Sequence, residues 1–383
     1  MSGKNRLIFS KTISFAGTTL FNSILSIWII EVFNSSKILG NINGYVGIAA
    51  IICNLLGGIF ADSRYLMNLL LISDGVACLI CFFVVGMGLV DDLLWIYILV
   101  FILNANSYLS SPLFKTLVHY VVRKDEIVKY NTNLSFLVQL ITVLFPPVST
   151  TLYAVKLLSM NNVVVLNGLS YLLSFLVLLS FLRKKDSGKG KISFNYLTAI
   201  NYLKSDSEMF VLVVTGGLLN AFLAGFNIYV PIFTTKIINN VAIYGYIMTL
   251  EAFGGILGII SMKYVKMLNS ILLERYLFII SSCLLILLSY YGNLLVIALF
   301  TIILTFCLAR YNITVQSVIQ QDVPQKIIGR IFSLFFLIVN IGSTMGSFIF
   351  GYLFSLNNNK PLLLVATGFV VIDLLWIFIS RKI

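Results

Sequence analysis

Glu251 sits in the run Tyr246-Ile247-Met248-Thr249-Leu250-Glu251-Ala252-Phe253, an acid surrounded by apolar residues. A carboxylate in such a setting is costly to keep ionised, so it must meet a partner or an aqueous cavity. There it can take up and release a proton, or make a structural hydrogen bond to a neighbouring segment. Glu31 lies near the outer end of the first apolar run, and Asp373 roughly two-thirds along another. Glu31 is placed to draw a cation to a rim, or simply to be solvated; Asp373 belongs to the last run. Asn22, Ser23 and Ser26 offer hydrogen bonds, either into a cavity or between packed helices. Phe226, Asn227 and Tyr229, just before Pro231, and then Tyr246, are candidates to line a pocket for greasy molecules.

Other chemistries find no support. The one histidine, His119, has no cysteine or carboxylate near it at ligand spacing, and Cys53, Cys78, Cys81, Cys283 and Cys307 all lie in apolar stretches. They read as small buried hydrophobes, and no metal or other cofactor is expected. A Gly-x-x-x-x-Gly-Lys-Ser/Thr loop is absent, which excludes ATP hydrolysis by that route. With no positioned nucleophile and base, the chain is expected not to be an enzyme. Nor does a repeated polar filter suggest a channel.

The elements that must position these residues follow from composition. Of 383 residues 59% are hydrophobic and 10% are charged, against roughly 25% charged in a soluble domain. The expectation is an all-α polytopic membrane protein. Continuously apolar runs exclude a β-barrel, whose strands alternate. Twelve spans are predicted, at 9–33, 42–61, 67–88, 93–113, 130–154 and 161–182, then 208–233, 241–261, 268–290, 294–314, 329–355 and 361–380. Residues 1–11 are short and basic and the run after them is of span length, so the first helix is expected to act as its own insertion signal.

The net charge of +12 is a matter of orientation. With the N-terminus inside, twenty of the 26 basic residues fall in cytoplasmic segments, and only Lys37, Lys156, Lys236 and Lys360 in external ones. This places both termini in the cytoplasm. The charges are dispersed among loops, which excludes a nucleic-acid-binding face. A charged linker at 183–207 separates blocks 1–182 and 208–383, each with six spans, a symmetry of hydropathy and length. Leu117–Val128, with His119, Arg123, Lys124, Asp125 and Glu126 punctuating an apolar face, predicts a short helix along the inner membrane surface.

Gly57-Gly58-Ile59-Phe60-Ala61-Asp62, followed by Arg64 and Asp74, resembles the signature loop between helices two and three of the major facilitator superfamily. Ser63 stands where an arginine is usual, and Tyr65-Leu66-Met67 replaces the usual basic pair. The stretch around Pro112, Arg123–Asn131 and Pro146-Pro147 is similar to the bacterial macrolide and multidrug efflux branch. So are Asn220, Pro231, Tyr244-Gly245, Gly254-Gly255 with Gly258, Gln320–Pro324, Gly329–Phe332, Gly346 and Gly351. The family's helix-four arginine and its glycine-rich helix-five motif are missing.

This resemblance implies two six-helix bundles and alternating access. It implies a secondary active transporter exporting hydrophobic or cationic small molecules, as in drug efflux and antibiotic resistance, by proton antiport. The alternative is a carrier of a lipid, peptide or neutral metabolite. Gly58, Asp62, Arg64 and Asp74 would brace the cytoplasmic gate. Arg310, Gly329 and Arg330, with Glu274 and Arg275, would serve similarly in the second half. Glu251 is the first candidate for proton coupling. The expected partners are a small-molecule substrate, protons or another coupling ion, and the lipid bilayer, with the chain acting as a monomer in a bacterial inner or plasma membrane.

Overall fold

The computed structural model describes residues 3–61, 66–122, 126–181, 197–262, 267–323, 328–356 and 360–380. Thirteen α-helices account for nearly all of them. They are α1 (Gly3–Phe33), α2 (Ser36–Ala61), α3 (Leu66–Gly86), α4 (Leu93–Val121), α5 (Ile127–Ala154), α6 (Met160–Leu179) and the nine-residue α7 (Leu197–Ser205). There follow α8 (Ser207–Ile232), α9 (Ala242–Ser261), α10 (Met267–Tyr291), α11 (Leu294–Asp322), α12 (Ile328–Leu356) and α13 (Pro361–Ser380). Among the described residues, ten helices are long and apolar enough to cross a membrane, and α10 and α13 carry shorter apolar stretches, Ile279–Tyr291 and Pro361–Ile372. The chain is an all-α multi-pass membrane protein. Helices satisfy their own backbone groups, the condition a bilayer imposes.

The turns are chemically specified. Asp92 caps α4 by accepting from the Leu94 N–H at 2.9 Å, and Asn293 caps α11 by accepting from Leu295 at 2.8 Å. Gly88 and Gly292 precede these caps with φ of +67° and +56°, where a side chain is strained. The connection from α3 to α4 and that from α10 to α11 therefore use the same device. Asn34 after α1 and Asn239 after α8 likewise share a left-handed conformation. Pro231 lies inside α8 and is followed by a π-helical turn, Phe233–Ile237. Thr235 donates its hydroxyl to the Pro231 carbonyl at 2.7 Å there.

Two expectations change. Leu117–Val121 continues α4 and forms no separate surface helix, because Leu117, Val118 and Val122 are buried with Leu7, Leu70, Tyr130 and Leu178. The linker, expected as a polar connection, contains α7.

The chain divides into two compact units. Unit 1 comprises Met1–Trp28, Ile48–Ser193 and Val241–Gly245; unit 2 comprises Ile29–Gly47, Phe194–Asn240 and Tyr246–Ile383. In unit 1, α3 packs on α4 and α6. Inside unit 2, α8 packs on α12 and α13, and α10 on α11 and α13. The α8–α12 contact is backbone-close. A Cβ on Gly342 would strike the Gly217 backbone, and one on Gly346 that of Ala221. Small residues at such crossings let helices approach where burial from water gives no drive.

Candidate functional site

Unit 1 holds an open cavity of about 740 Å³, and most of the residues lining it are of polar type. From α1 come Lys11, Ser14, Thr18 and Asn22, spaced 3, 4 and 4 apart, which is one helical face. Asn104, Asn106, Ser107, Ser110 and Ser111 come from α4, Ser135 and Gln139 from α5, Asp74 from α3 and Tyr171 from α6. α1, α3 and α5 run away from the N-terminal face, whereas α4 and α6 run back toward it. Lys11–Thr18 of α1, Asp74 of α3, Ser107–Ser111 of α4 and the α5 positions fall in the half of each helix nearest that face, whereas Asn22, Asn104 and Asn106 lie just beyond the middle of theirs.

Hydrogen bonding decides what the lining offers. Ser14 donates to the Ser10 carbonyl (3.1 Å), Thr18 to Ser14 (2.9 Å), Ser107 to Leu103 (3.2 Å) and Ser110 to Ser107 (3.3 Å). Asn104 uses its Nδ2 on the Val100 carbonyl at 2.9 Å. A hydroxyl has one proton and two lone pairs, so a group that donates to its own helix keeps only acceptors for the cavity. Ser14 and Thr18 on α1 and Ser107 and Ser110 on α4 therefore keep acceptors for the cavity, while Lys11, Asn22 and Gln139 also bring donors to it. Thr18 Oγ1 and Tyr171 Oη are 2.9 Å apart, linking α1 to α6.

Asp74 is buried. Ser174 donates to its Oδ2 at 2.6 Å and Asn106 to its Oδ1 at 3.2 Å, while Ser174 and Ser10 share a hydrogen bond of 2.8 Å. Lys11 is the one cation of the lining among the described residues, and its ammonium lies 5.5 Å from the centre of the Phe114 ring.

Of the residues singled out from sequence, Asn22 and Asp74 meet in this cavity. Asp74, expected to brace a gate, is part of the cavity wall. Ser26 is half-buried and within reach of the Asn22 carbonyl at 3.4 Å, and Ser23 is buried on the Thr19 carbonyl. Glu31 is exposed near the end of α1. Glu251 lies in unit 2, half-buried on α9, with no hydrogen bond among the described residues. Phe226 and Tyr229, expected at a pocket, are 1% and 0% exposed. Phe226 packs edge-on against Phe300 with centroids 4.6 Å apart, and Tyr229 lies between Phe233 and Phe354. Asn227 and Tyr246 point out of the core.

Arg310 is fully buried, donates to the Ser261 hydroxyl and lies over the Phe306 ring, so it ties α11 to α9 within unit 2. Gly58 falls within α2, Gly329 and Arg330 within α12, Asp373 within α13, and Glu274 and Arg275 within α10. The side chains at those six positions, and Asp62 and Arg64 altogether, lie outside the described residues. Sequence reasoning passed over Lys11, Ser14, Thr18, Ser107 and Gln139. The signal that could have found them is the polar stripe at helical spacing in α1 and its counterpart in α4.

The profile of the Major Facilitator Superfamily matches residues 7–347. The chain belongs to that superfamily. It is therefore a secondary transporter moving a small molecule across a lipid bilayer, and not an enzyme. Solved structures of similar fold include the nucleoside transporter NupG, at 16% identity, TM-score 0.76, and 99% coverage of each chain. A bacterial homologue of the iron transporter ferroportin in an inward-facing state matches at 14% identity and TM-score 0.75, over 99% of this chain and 98% of that one. A bacterial homologue of the human lysosomal transporter Spinster matches at 12% identity and TM-score 0.74, over 99% and 96%. At these identities the likeness is one of fold. No curated protein matches the sequence.

Proposed function

We propose that the chain carries a small polar solute rich in hydrogen-bond donors, with hydroxyl or amine groups, by alternating access and in exchange for a proton. The observation that carries this reading is the set of hydroxyl acceptors on α1 and α4 at the unit 1 cavity. A buried acceptor left without a donor is costly, so such a set selects a solute that supplies donors. A nucleoside, the cargo in the name of one similar structure, has donors of this kind. The proposed architecture is twelve spans, six in 1–182 and six in 208–383, joined by the linker 183–207, with both termini cytoplasmic and the chain a monomer. The distribution of basic residues and the turn chemistry shared by α3–α4 and α10–α11 support it.

Export of a cationic compound is the second reading, favoured by Asp74 in the lining. Export of a hydrophobic drug has less support, since Phe226 and Tyr229 pack inside unit 2. Purified protein in proteoliposomes separates these readings. Uridine, a hexose and a neutral amino acid are tested for saturable uptake against ethidium and erythromycin. The expected result is uptake of at least one polar solute, cut about fivefold or more by Asn104→Leu, in keeping with the ~1–3 kcal/mol left when a buried partner goes unpaired. Movement of ethidium or erythromycin alone would reject the polar-solute reading.

A further inference from the structure

Asp74 is the only carboxylate among the described residues lining the cavity, and its surroundings can satisfy two forms of it. As drawn, the ionised carboxylate accepts from Ser174 and from Asn106 Nδ2, with Ser10 hydrogen-bonded to Ser174 behind it. Asn106 is 5% exposed, and its Oδ1 has no hydrogen-bond partner. A buried acceptor stranded beside a carboxylate is a cost in this form. It becomes a partner once the carboxyl carries a proton. The amide then turns about its last bond, and the carboxyl O–H donates to Oδ1 while Ser174 keeps its bond to Oδ2.

We propose that Asp74 is the proton-binding residue of the cavity and that Asn106 is its two-position partner, a donor to the ionised carboxylate and an acceptor from the acid. A hydronium ion in cavity water supplies the proton; one O–H bond breaks there, one forms on the carboxyl, and water is left. The reverse step returns the proton to water. Protonation removes the one carboxylate charge from the described lining, so proton and solute affinities are coupled, and the coupling is reciprocal. The titratable groups around Asp74 among the described residues are Lys11 on α1, Tyr108 on α4, Tyr171 on α6, and Cys78 and Cys81 on α3 itself. The residues that α5 contributes are not titratable. Glu251, in unit 2, takes no part.

The inference rests on the cavity's being the transport site, but the proton itself serves as the probe. Full-length protein in liposomes is titrated from alkaline to acid pH and followed by infrared difference spectroscopy, without solute. The chain's other acids titrate as well, so the Asp74 signal is the protonated-carboxyl C=O component that grows as pH falls in the wild type and in Glu251→Gln and is missing from Asp74→Asn. Asn106→Leu keeps that component at higher wavenumber, because the acid has lost its acceptor. Carboxyl bands that are the same in the wild type and Asp74→Asn, or an unmoved Asp74 component in Asn106→Leu, overturn the proposal. Should Asp74→Asn not fold, the Asn106→Leu spectrum decides. If no polar solute moves in the transport assay, the functional reading falls while the infrared outcome still judges this one.

Discussion

Units 1 and 2 are built from the same kind of long apolar helix but use their small and polar residues in opposite ways. In unit 1, hydroxyls and amides from four helices and a carboxylate from a fifth surround about 740 Å³ of space, and several of the hydroxyls keep only acceptors for it. Unit 2 brings α8 and α12 into backbone contact at Gly217–Gly342 and Ala221–Gly346, and packs the rings of Phe226, Phe300 and Phe369 edge-on or tilted against one another. Polarity alone does not separate the two, since unit 2 also buries Arg310, Thr301 and Thr314. The difference is whether polar groups from several helices converge on one space or are packed singly among apolar neighbours, as Arg310 is between Ser261 and Phe306. A residue type in a membrane helix therefore has a role only once its neighbours on other helices are known.

Phe226→Ala tests that contrast most severely. If Phe226 is core, its loss costs about 3–5 kcal/mol and unfolds the purified protein at a much lower temperature. An unchanged unfolding temperature with lost transport would return it to the role of a pocket residue. Next comes a matched pair. Gly346→Leu drives a side chain into the Ala221 backbone and is expected to destabilise by about 1–3 kcal/mol, whereas Ser111→Leu projects into open space and is expected to stay within about 0.5 kcal/mol while transport falls. Equal thermal shifts for the two would erase the distinction between units. The smallest effect is expected for Tyr229→Phe. The Tyr229 hydroxyl is buried without a hydrogen-bond partner, so its removal should leave the unfolding temperature unchanged or slightly raised; a clear drop would mean that the hydroxyl is in use.

Much of the fold was legible. The predicted spans 241–261, 294–314 and 361–380 coincide with α9, the start of α11 and α13 to within a residue at most at the shared ends. The fourth ran short because Leu117 and Val118, punctuated by charges, looked like a surface face until Leu7 and Leu178 were seen to cover them. The candidate site was legible in part. Asn22 was noticed as polar, but the stripe Lys11, Ser14, Thr18 that continues its face was not weighed. Asp74 was read with the loop it follows, because its Ser174 and Asn106 partners are 100 and 32 residues away.

By itself the sequence determined the helices, the class of protein and the turns. Each follows from local chemistry: an apolar run long enough to span, a capping Asp or Asn, a glycine where φ is positive. Only the tertiary structure decided which polar residues share a cavity and which aromatics are core. That depends on how each helix is rotated against its neighbours, and rotation is set by packing between segments far apart in the chain. Glu251 stood out because one acid in an apolar run is visible locally. Asp74 emerged because four helices bring their hydroxyls and amides to the same place.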